Sequence, residues 1–188
     1  MTTTNNANEY VLPPEKAEIE QWLSEQCGYG WLVLDIVEGD RALAITKLCV
    51  TTMAYYDGDD EAITWADSKL RAWLNGEFYA NLPAAVQARV PEVTNLNPDN
   101  VEHGTPGGNP TSDRVFALST DEATNSSLDD ETRPGLYNDV PYPWWLRSPG
   151  ASPDYAALVD WEGTIYGYGS YVDAPNCGVR PAMWVKLG

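Results

Sequence analysis

Positive charge is scarce in this chain of 188 residues, which has 11 lysines and arginines against 28 aspartates and glutamates. Proteins that bind nucleic acids contact the phosphates mainly through lysine and arginine, and no cluster of these residues occurs here. We therefore expect no nucleic-acid partner. The net charge of −17 leaves two interpretations open, namely solubility and attraction to basic partners.

Long apolar runs are also missing. A membrane-spanning helix needs about 18 or more consecutive apolar residues, and the sequence has no such run, so no membrane insertion is expected. The opening residues, MTTTNN, are polar and lack the charged and apolar regions of a secretory signal. The location of the protein stays open between a phage virion, a displayed surface and the cytoplasm.

Cysteine and histidine are rare, which argues against metal sites and common catalytic centres. The three cysteines, Cys27, Cys49 and Cys177, lack metal-ligand spacing and are typical of buried thiols with at most one disulfide. The single histidine, His103, lies in a polar stretch, which is a poor place for an oriented catalytic base. We expect a protein without cofactor, metal or enzymatic activity, in which His103 has no particular role.

What the sequence does contain indicates a globular domain. Its hydrophobic share is 43%, with eight tryptophans, which is not the composition of a disordered chain. Residues 1–12 predict a flexible N-terminal arm. Residues 13–188 are enough for one well-buried domain.

The clearest secondary-structure element is a helix over residues 67–82. Apolar side chains recur there at helical spacing, and Asp67 or Ser68 can cap its start. We expect Trp73 and Phe78 on this helix to be buried against the sheet.

Weaker patterns predict the remaining elements. Two more helices are expected, one over residues 15–26 and a short one that begins at Ser119. The predicted strands cover residues 31–37, 42–53, 114–118, 144–147, 156–161, 164–168 and 179–185, the first two joined by a turn at Gly39-Asp40. Residues 92–113 and 126–142 are polar connections. Helices gathered early and short strands later indicate the α+β class.

The last part of the chain, residues 144–187, has a polar centre between two apolar frames. The frames are WWLRSPG and CGVRPAMWV, and we expect Trp144, Trp145 and Trp184 to lie in the core. Arg147 and Arg180 are expected to hold loop carbonyls or carboxylates, because the arginine fork suits such bracing. No lysine or arginine occurs between these two residues.

The polar centre has the composition of a recognition surface. Tyrosine offers rigid contact area, and small polar residues give adaptable hydrogen bonds. We predict one exposed ligand-binding face for a protein or cell-surface ligand, with Ile165 facing the core since its neighbour Tyr166 faces outward. The alternative is a solvated surface without a ligand. The predicted ligand-binding residues are Asp154, Tyr155, Asp160, Tyr166, Tyr168, Ser170, Tyr171 and Asp173.

Four sequence blocks resemble DUF6273, a bacterial domain family of unknown function. Residues 68–75 (SKLRAWLN) resemble its S-x-[IL]-R-x-W-L-N helix, and residues 113–119 (DRVFALS) resemble its D-x-V-F-L-L-S strand. Residues 144–150 (WWLRSPG) and 178–182 (GVRPA) match two further signatures of the family. The blocks occur in family order, and together they are specific.

The resemblance implies a C-type-lectin-like fold and a relation to the variable proteins of diversity-generating retroelements. In those systems, mutagenesis directed at adenines rewrites a C-terminal binding face on a fixed scaffold. Tyrosine, aspartate, serine and asparagine can all arise from an AAY codon by changes at adenine. Tryptophan cannot, so Trp161 is expected to be scaffold. The variable region would be residues 144–187.

Three other interpretations remain open. One is a structural or assembly module, such as a phage tail or surface decoration. Another is an oxidase similar to formylglycine-generating enzymes, which hold copper with paired cysteines near a G-F-R motif. The segment Cys177-Gly178-Val179-Arg180 is similar, but a second cysteine at suitable spacing is missing. The third is calcium-dependent sugar binding through Asp154, Asp160 and Asp173.

Overall fold

A three-stranded antiparallel sheet joins the first hairpin of the domain to its last strand. The computed structural model describes residues 15–37, 40–59 and 62–188; the predicted arm (residues 1–12) and Gly39 of the predicted turn lie outside them. The strands are β1 (Trp31–Val37), β2 (Arg41–Thr46) and β12 (Ala182–Lys186), with β2 in the centre. The first and last strands of the domain are therefore held in one sheet.

Helix α1 (Lys16–Cys27) packs on β1, which confirms the predicted first helix. Ile19 and Leu23 are buried, and Gly28 ends the helix in the left-handed conformation with a φ of 77°. The predicted strand over residues 42–53 is interrupted at residues 47–50, so that its first part belongs to β2 and Thr51–Thr52 form a separate short strand. The chain leaves the sheet after Thr46, whose hydroxyl donates to the carbonyl of Leu48 at 2.8 Å across a turn.

The predicted central helix is present, in three consecutive segments. These are α2 (Lys69–Trp73), a π-helical turn (Leu74–Phe78) and α3 (Tyr79–Asn81). Ser68 caps the start, since its hydroxyl accepts the Arg71 N–H at 3.1 Å. Phe78 is buried as predicted, but Trp73 is only half-buried because it lies at the edge of the apolar stripe. Its ring packs against Phe78, with 5.5 Å between the ring centres.

A five-stranded sheet positions the C-terminal region. Its strands are β3 (Thr51–Thr52), β8 (Trp144–Pro149), β9 (Tyr155–Val159), β10 (Ile165–Tyr171) and β11 (Gly178–Val179), in the order β10-β9-β8-β11-β3. Strand β8 is buried along its whole length, and β10 forms one edge. The predicted strand over residues 179–185 is split at Arg180-Pro181, because proline has no N–H for a strand ladder.

The sequence predicts a strand over residues 114–118, and this prediction is wrong. The segment forms a single β-bridge, between Phe116 and Ala182, and the Leu118 carbonyl accepts the Arg147 N–H at 2.9 Å. The amide side chain of Asn75 takes up neighbouring backbone groups: it accepts the Arg114 N–H at 2.7 Å and donates to the Val115 carbonyl at 2.9 Å. The Asn75 side chain thus makes the hydrogen bonds that a neighbouring strand would otherwise make.

Short antiparallel strand pairs occupy the polar connections, in which the sequence predicts no strands. They pair β4 (Val93–Asn95) with β5 (Thr111–Asp113) and β6 (Gly135–Tyr137) with β7 (Val140–Tyr142). Two short helices, α4 (Ala84–Gln87) and α5 (Thr120–Asn125), complete the domain, and α5 begins with a capping box as predicted. The architecture is mixed helix and sheet, as the sequence predicts. None of the described helices is long and apolar enough to cross a membrane.

Candidate functional site

A buried arginine on β8 holds the frame of the C-terminal region, as the sequence predicts. The Arg147 side chain is 4% exposed; it forms an ion pair with Glu122 of α5 and donates to the carbonyl of Ala117 at 3.0 Å. Trp144 and Trp145 on the same strand are fully buried. Strand β8 is therefore fixed both by packing and by charged hydrogen bonds.

A second arginine braces the other end of the frame. Arg180 is 1% exposed and donates to the carbonyls of Thr46 at 2.9 Å and Thr132 at 3.0 Å. Its guanidinium carbon lies 4.9 Å from the centre of the Trp144 ring, which adds a cation–π contact. Burial lowers the pKa of Arg180 to about 10, so the group is still protonated at neutral pH. The predicted bracing role of both arginines is confirmed.

Four tyrosines of the predicted set lie together at the edge of the five-stranded sheet. We call Tyr155, Tyr166, Tyr168 and Tyr171 the tyrosine face. The Tyr155 ring centre lies 4.4 Å from that of Tyr171 and 5.7 Å from that of Tyr168, and Tyr166 continues the row at 6.0 Å from Tyr168. Tyr166, Tyr168 and Tyr171 are 47, 49 and 56% exposed. The four rings support one another and still offer area to solvent.

A β-bulge in β10 brings Tyr168 into this group. Between Tyr166 and Ser170, strand β10 takes four steps along the chain while β9 takes only two. Gly169 lies in the bulge with a φ of 77°, and an added Cβ there would be 2.2 Å from the carbonyl oxygen of Ala156. Glycine is required at this position, and it sets the direction of the preceding tyrosine.

The polar connection between β4 and β5 is fastened to the same bulge. The Asn100 side-chain amide donates to the carbonyls of Pro149 at 3.1 Å and Gly167 at 2.9 Å. These two bonds hold the connection in place, and the His103 ring meets the Tyr168 ring edge to face, with 5.5 Å between the ring centres. His103, for which the sequence predicts no role, is thus a fifth ring beside the tyrosine face.

Three smaller members of the predicted set border the tyrosine face. Asp154 directly precedes β9, and its carbonyl accepts the Val172 N–H at 2.9 Å, which keeps the ends of β9 and β10 together. Asp173 follows β10 and is exposed, and Ser170 lies half-buried after the bulge. Ile165 is half-buried and packs against the core, as expected from alternation.

The structure does not bring Asp160 to the tyrosine face. Asp160 lies at the opposite end of β9, where its carboxylate accepts the N–H groups of Glu162 at 2.9 Å and Thr164 at 2.8 Å and so closes the turn. Asp154, Asp160 and Asp173 are therefore not arranged as joint calcium ligands. No group of three or more histidine, cysteine or acidic side chains converges as a metal site within residues 15–37, 40–59 and 62–188.

Two other tryptophans lie at or near the surface. Trp161, expected to be an undiversified scaffold position, is 62% exposed at the turn between β9 and β10, which does not test that expectation. Trp184, expected in the core, is half-buried, and the guanidinium carbon of Arg41 lies 4.6 Å from the centre of its ring. Alternating positions on β12 account for this, because its neighbours Met183 and Val185 take the buried face.

Two of the cysteines lie near one another in space. A Cβ added at Gly178, next to Cys177, would be 2.5 Å from the sulfur of Cys49. A second cysteine therefore lies close to the CGVR segment in the fold, although it is distant in the sequence. All three cysteines are free thiols. Burial raises the pKa of Cys49 to about 11 and that of Cys177 well above the ordinary value, which favours inert core thiols.

The side chains of Tyr155 and Tyr171 lie close together, with 4.4 Å between their ring centres. The influence of the Tyr171 hydroxyl, with a smaller effect of burial, raises the pKa of Tyr155 to about 12. A hydrogen bond that favours the neutral hydroxyl raises an acid's pKa in this way. Tyr155 therefore keeps its proton well above physiological pH.

We expect Tyr171→Phe to lower the pKa of Tyr155 from about 12 toward the ordinary value of about 10, since the hydroxyl partner is lost. Titration of ¹³C-labelled tyrosine by NMR measures this shift. Tyr166→Phe is the matched control and should leave the pKa of Tyr155 unchanged. An unchanged pKa of Tyr155 in Tyr171→Phe would mean that the Tyr171 hydroxyl does not raise it.

Sequence reasoning missed two residues that shape the site. Gly169 had a readable signal, because two glycines at positions 167 and 169, in and directly after the predicted strand, are typical of a bulge. Asn100 had none, since an asparagine in a polar connection does not indicate which distant carbonyls it will contact.

A comparison with protein families identifies the kind of domain. The family described as Domain of unknown function (DUF6273) matches residues 39–187, which is most of the chain and includes the whole tyrosine face. No curated protein and no solved structure matches the chain. The four blocks that resemble the family all lie inside the matched residues, on α2, before α5, on β8 and on β11. The chain belongs to the DUF6273 family.

Proposed function

We propose that this protein is a ligand-binding module, without enzymatic activity, that holds a protein ligand on its tyrosine face. The observation that carries the proposal is the contiguous row of four tyrosine rings, three of them about half exposed. Exposed groups of large apolar side chains on a soluble domain mark interaction sites. Tyrosine is also enriched among the residues that dominate binding energy.

The rigidity of the supporting structure favours this proposal. Strand β8 is buried throughout and braced by Arg147, and Asn100 fixes the connection that carries His103. Each ring of the tyrosine face contacts at least one other ring. A surface that is ordered before binding loses less conformational entropy when its partner arrives, which improves affinity.

A finer proposal concerns the scaffold and its use. We propose a C-type-lectin-like scaffold and a role as the variable protein of a diversity-generating retroelement. The pairing of the first hairpin with β12 supports the scaffold. The separation of residue types supports diversification: residues 144–150 and 178–182 are buried throughout, whereas Tyr166, Tyr168, Tyr171 and Asp173, all reachable from AAY codons, are exposed. Substitutions at such exposed positions spare the fold.

The binding face can be tested with a phage-displayed library of random peptides as the probe. For peptides selected on the wild-type protein, we expect Tyr166→Ala, Tyr168→Ala and Tyr171→Ala each to weaken binding by on the order of 30-fold, or about 2 kcal/mol. Stability should change by about 1 kcal/mol or less, because the side chains are half exposed. Fluorescence polarisation and thermal unfolding measure the two quantities.

Matched controls remove exposed side chains elsewhere on the surface. Leu48→Ala, Val140→Ala and Trp161→Ala delete groups that are 47, 55 and 62% exposed, and they should leave binding unchanged. If the tyrosine variants unfold, the tyrosines belong to the core and the proposal fails. If all three variants fold and bind like the wild type, the face lies elsewhere, with residues 92–113 as the next region to test.

Diversification is tested by the DNA around the gene. We expect a near-repeat of the DNA that encodes residues 144–187, beside a reverse transcriptase gene, with differences confined to adenines of the repeat. Absence of this repeat would favour the alternative of a non-diversified structural or assembly module, such as a phage tail or surface decoration. The peptide-binding test is independent of this result.

A further inference from the structure

We propose that the partner presents a basic segment to the tyrosine face, with arginine or lysine side chains lying against the rings and their charged ends meeting the carboxylates that border them. This inference rests on the proposed function and names the chemical class of its ligand. The surface concerned consists of the tyrosine face, Asp154, Asp173, and residues 102–103 of the connection between β4 and β5.

The border of the tyrosine face is acidic. Asp154 precedes Tyr155 and interacts with it, Asp173 follows β10, and Glu102 stands next to His103, whose ring meets Tyr168. Glu102 and Asp173 are exposed, and neither forms an ion pair with a side chain in the described part of the protein. The carboxylates of Glu102 and Asp173 are therefore available to a cation that approaches the rings, whereas the half-buried carboxylate of Asp154 also accepts a hydrogen bond from the Ser152 hydroxyl.

Positive charge from the chain itself does not compete for this surface. Arg147 and Arg180, which bound the region, are 4 and 1% exposed and use their guanidinium groups inside the frame. The Tyr56 N–H donates to the Val172 carbonyl, which places the neighbouring segment beside the end of β10. Lys69, on the helix that follows this segment, forms an ion pair with Asp57. A basic partner therefore meets no repelling side chain from residues 148–179.

The rings suit the flat, weakly hydrated guanidinium group. Arginine stacks on aromatic faces, and a cation within about 6 Å of a ring centre is attracted by the negative face of the ring. Tyr166, Tyr168 and Tyr171 are about half exposed, so part of each ring is open to a cation from solvent. The net charge of −17 adds long-range attraction, which speeds the encounter with a basic partner.

The same phage-displayed peptide library tests the inference in two steps. Peptides that bind the triple variant Tyr166→Ser/Tyr168→Ser/Tyr171→Ser are removed first, and the remaining peptides are then selected on the wild-type protein. The first step discards peptides attracted only by net charge. Among the remaining peptides, we expect arginine and lysine to be enriched at least about threefold over the unselected library. The double variant Asp154→Asn/Asp173→Asn should weaken their binding about tenfold, and binding should fall as salt is raised.

A matched control separates local from general charge. Glu131→Gln/Asp139→Asn removes the same charge at two exposed positions on the β6–β7 side of the molecule, and it should change binding less than twofold. The inference of a basic partner fails if the tyrosine-dependent peptides are neutral or acidic, or if they bind the Asp154→Asn/Asp173→Asn variant as tightly as the wild type. The proposed function stands in either case. If no peptide depends on the tyrosines, the proposed function fails and this inference fails with it.

Discussion

Replacing Arg147 by methionine is expected to lower the free energy of unfolding by about 3 kcal/mol or more, because it removes one partner of a largely buried charged pair. The variant keeps the apolar stem but removes the donors to Glu122 and to the carbonyl of Ala117. Glu122 also accepts the Ser119 N–H in the capping box, so α5 loses support as well. Since the Glu122 side chain is 34% exposed, water reaches it, and the lower end of the range applies.

Urea unfolding followed by tryptophan fluorescence measures this effect. The matched control is Lys69→Met, the same kind of substitution in an ion pair whose two side chains are 51 and 54% exposed. Its loss should be about 1 kcal/mol or less, because exposed pairs contribute little. Equal losses in the two variants would mean that the Arg147 network does not brace β8.

Elements with a strong local pattern could be predicted from the sequence. Strand β1 coincides with the predicted strand, Gly28 ends α1, and Ser68 and Ser119 cap the helices that follow them. In each case the signal lies within a few residues of the feature it specifies. Capping and helix termination are local hydrogen-bonding problems, so a short stretch of sequence contains their solution.

The region around Asp113 could not be predicted because its order comes from distant polar contacts. Asp113 is 1% exposed, and its carboxylate accepts hydrogen bonds from Trp65 Nε1 at 3.0 Å, Arg71 Nε at 2.6 Å and Asn95 Nδ2 at 3.0 Å. This group links the central helix to the β4–β5 hairpin. Local periodicity does not show such distant partners, so the sequence predicts only a polar connection where β4 and β5 form.

In the candidate site, too, local features could be predicted from the sequence and distant contacts could not. Composition and alternation predict the residues of the tyrosine face and the inward position of Ile165. Nothing local shows that Asp160 serves its own turn or that Asn100 crosses to β10. The bulge decides which tyrosines meet, and it depends on pairing between β9 and β10 that forms only in the folded sheet.

Gly169→Ala is expected to destabilise the protein by about 3 kcal/mol and to weaken binding at the tyrosine face at the same time. A residue other than glycine in the left-handed region costs about 1–2 kcal/mol, and crowding a packed site adds about 1–3 kcal/mol. Both apply here, since φ is 77° and the new Cβ would lie 2.2 Å from the Ala156 carbonyl oxygen. The bulge must shift, and Tyr168 leaves its place beside Tyr155.

Gly167→Ala makes the same chemical change two residues away and isolates the role of the bulge. An added Cβ at Gly167 meets no atom within 4 Å, so stability should change by within about 0.5 kcal/mol. Amide hydrogen exchange should show faster opening of β9 and β10 in Gly169→Ala alone, and the tyrosine-dependent peptides should bind only the Gly167→Ala variant normally. If Gly169→Ala keeps both its stability and its peptide binding, the bulge does not position Tyr168, and the tyrosine face owes its arrangement to the ring contacts alone.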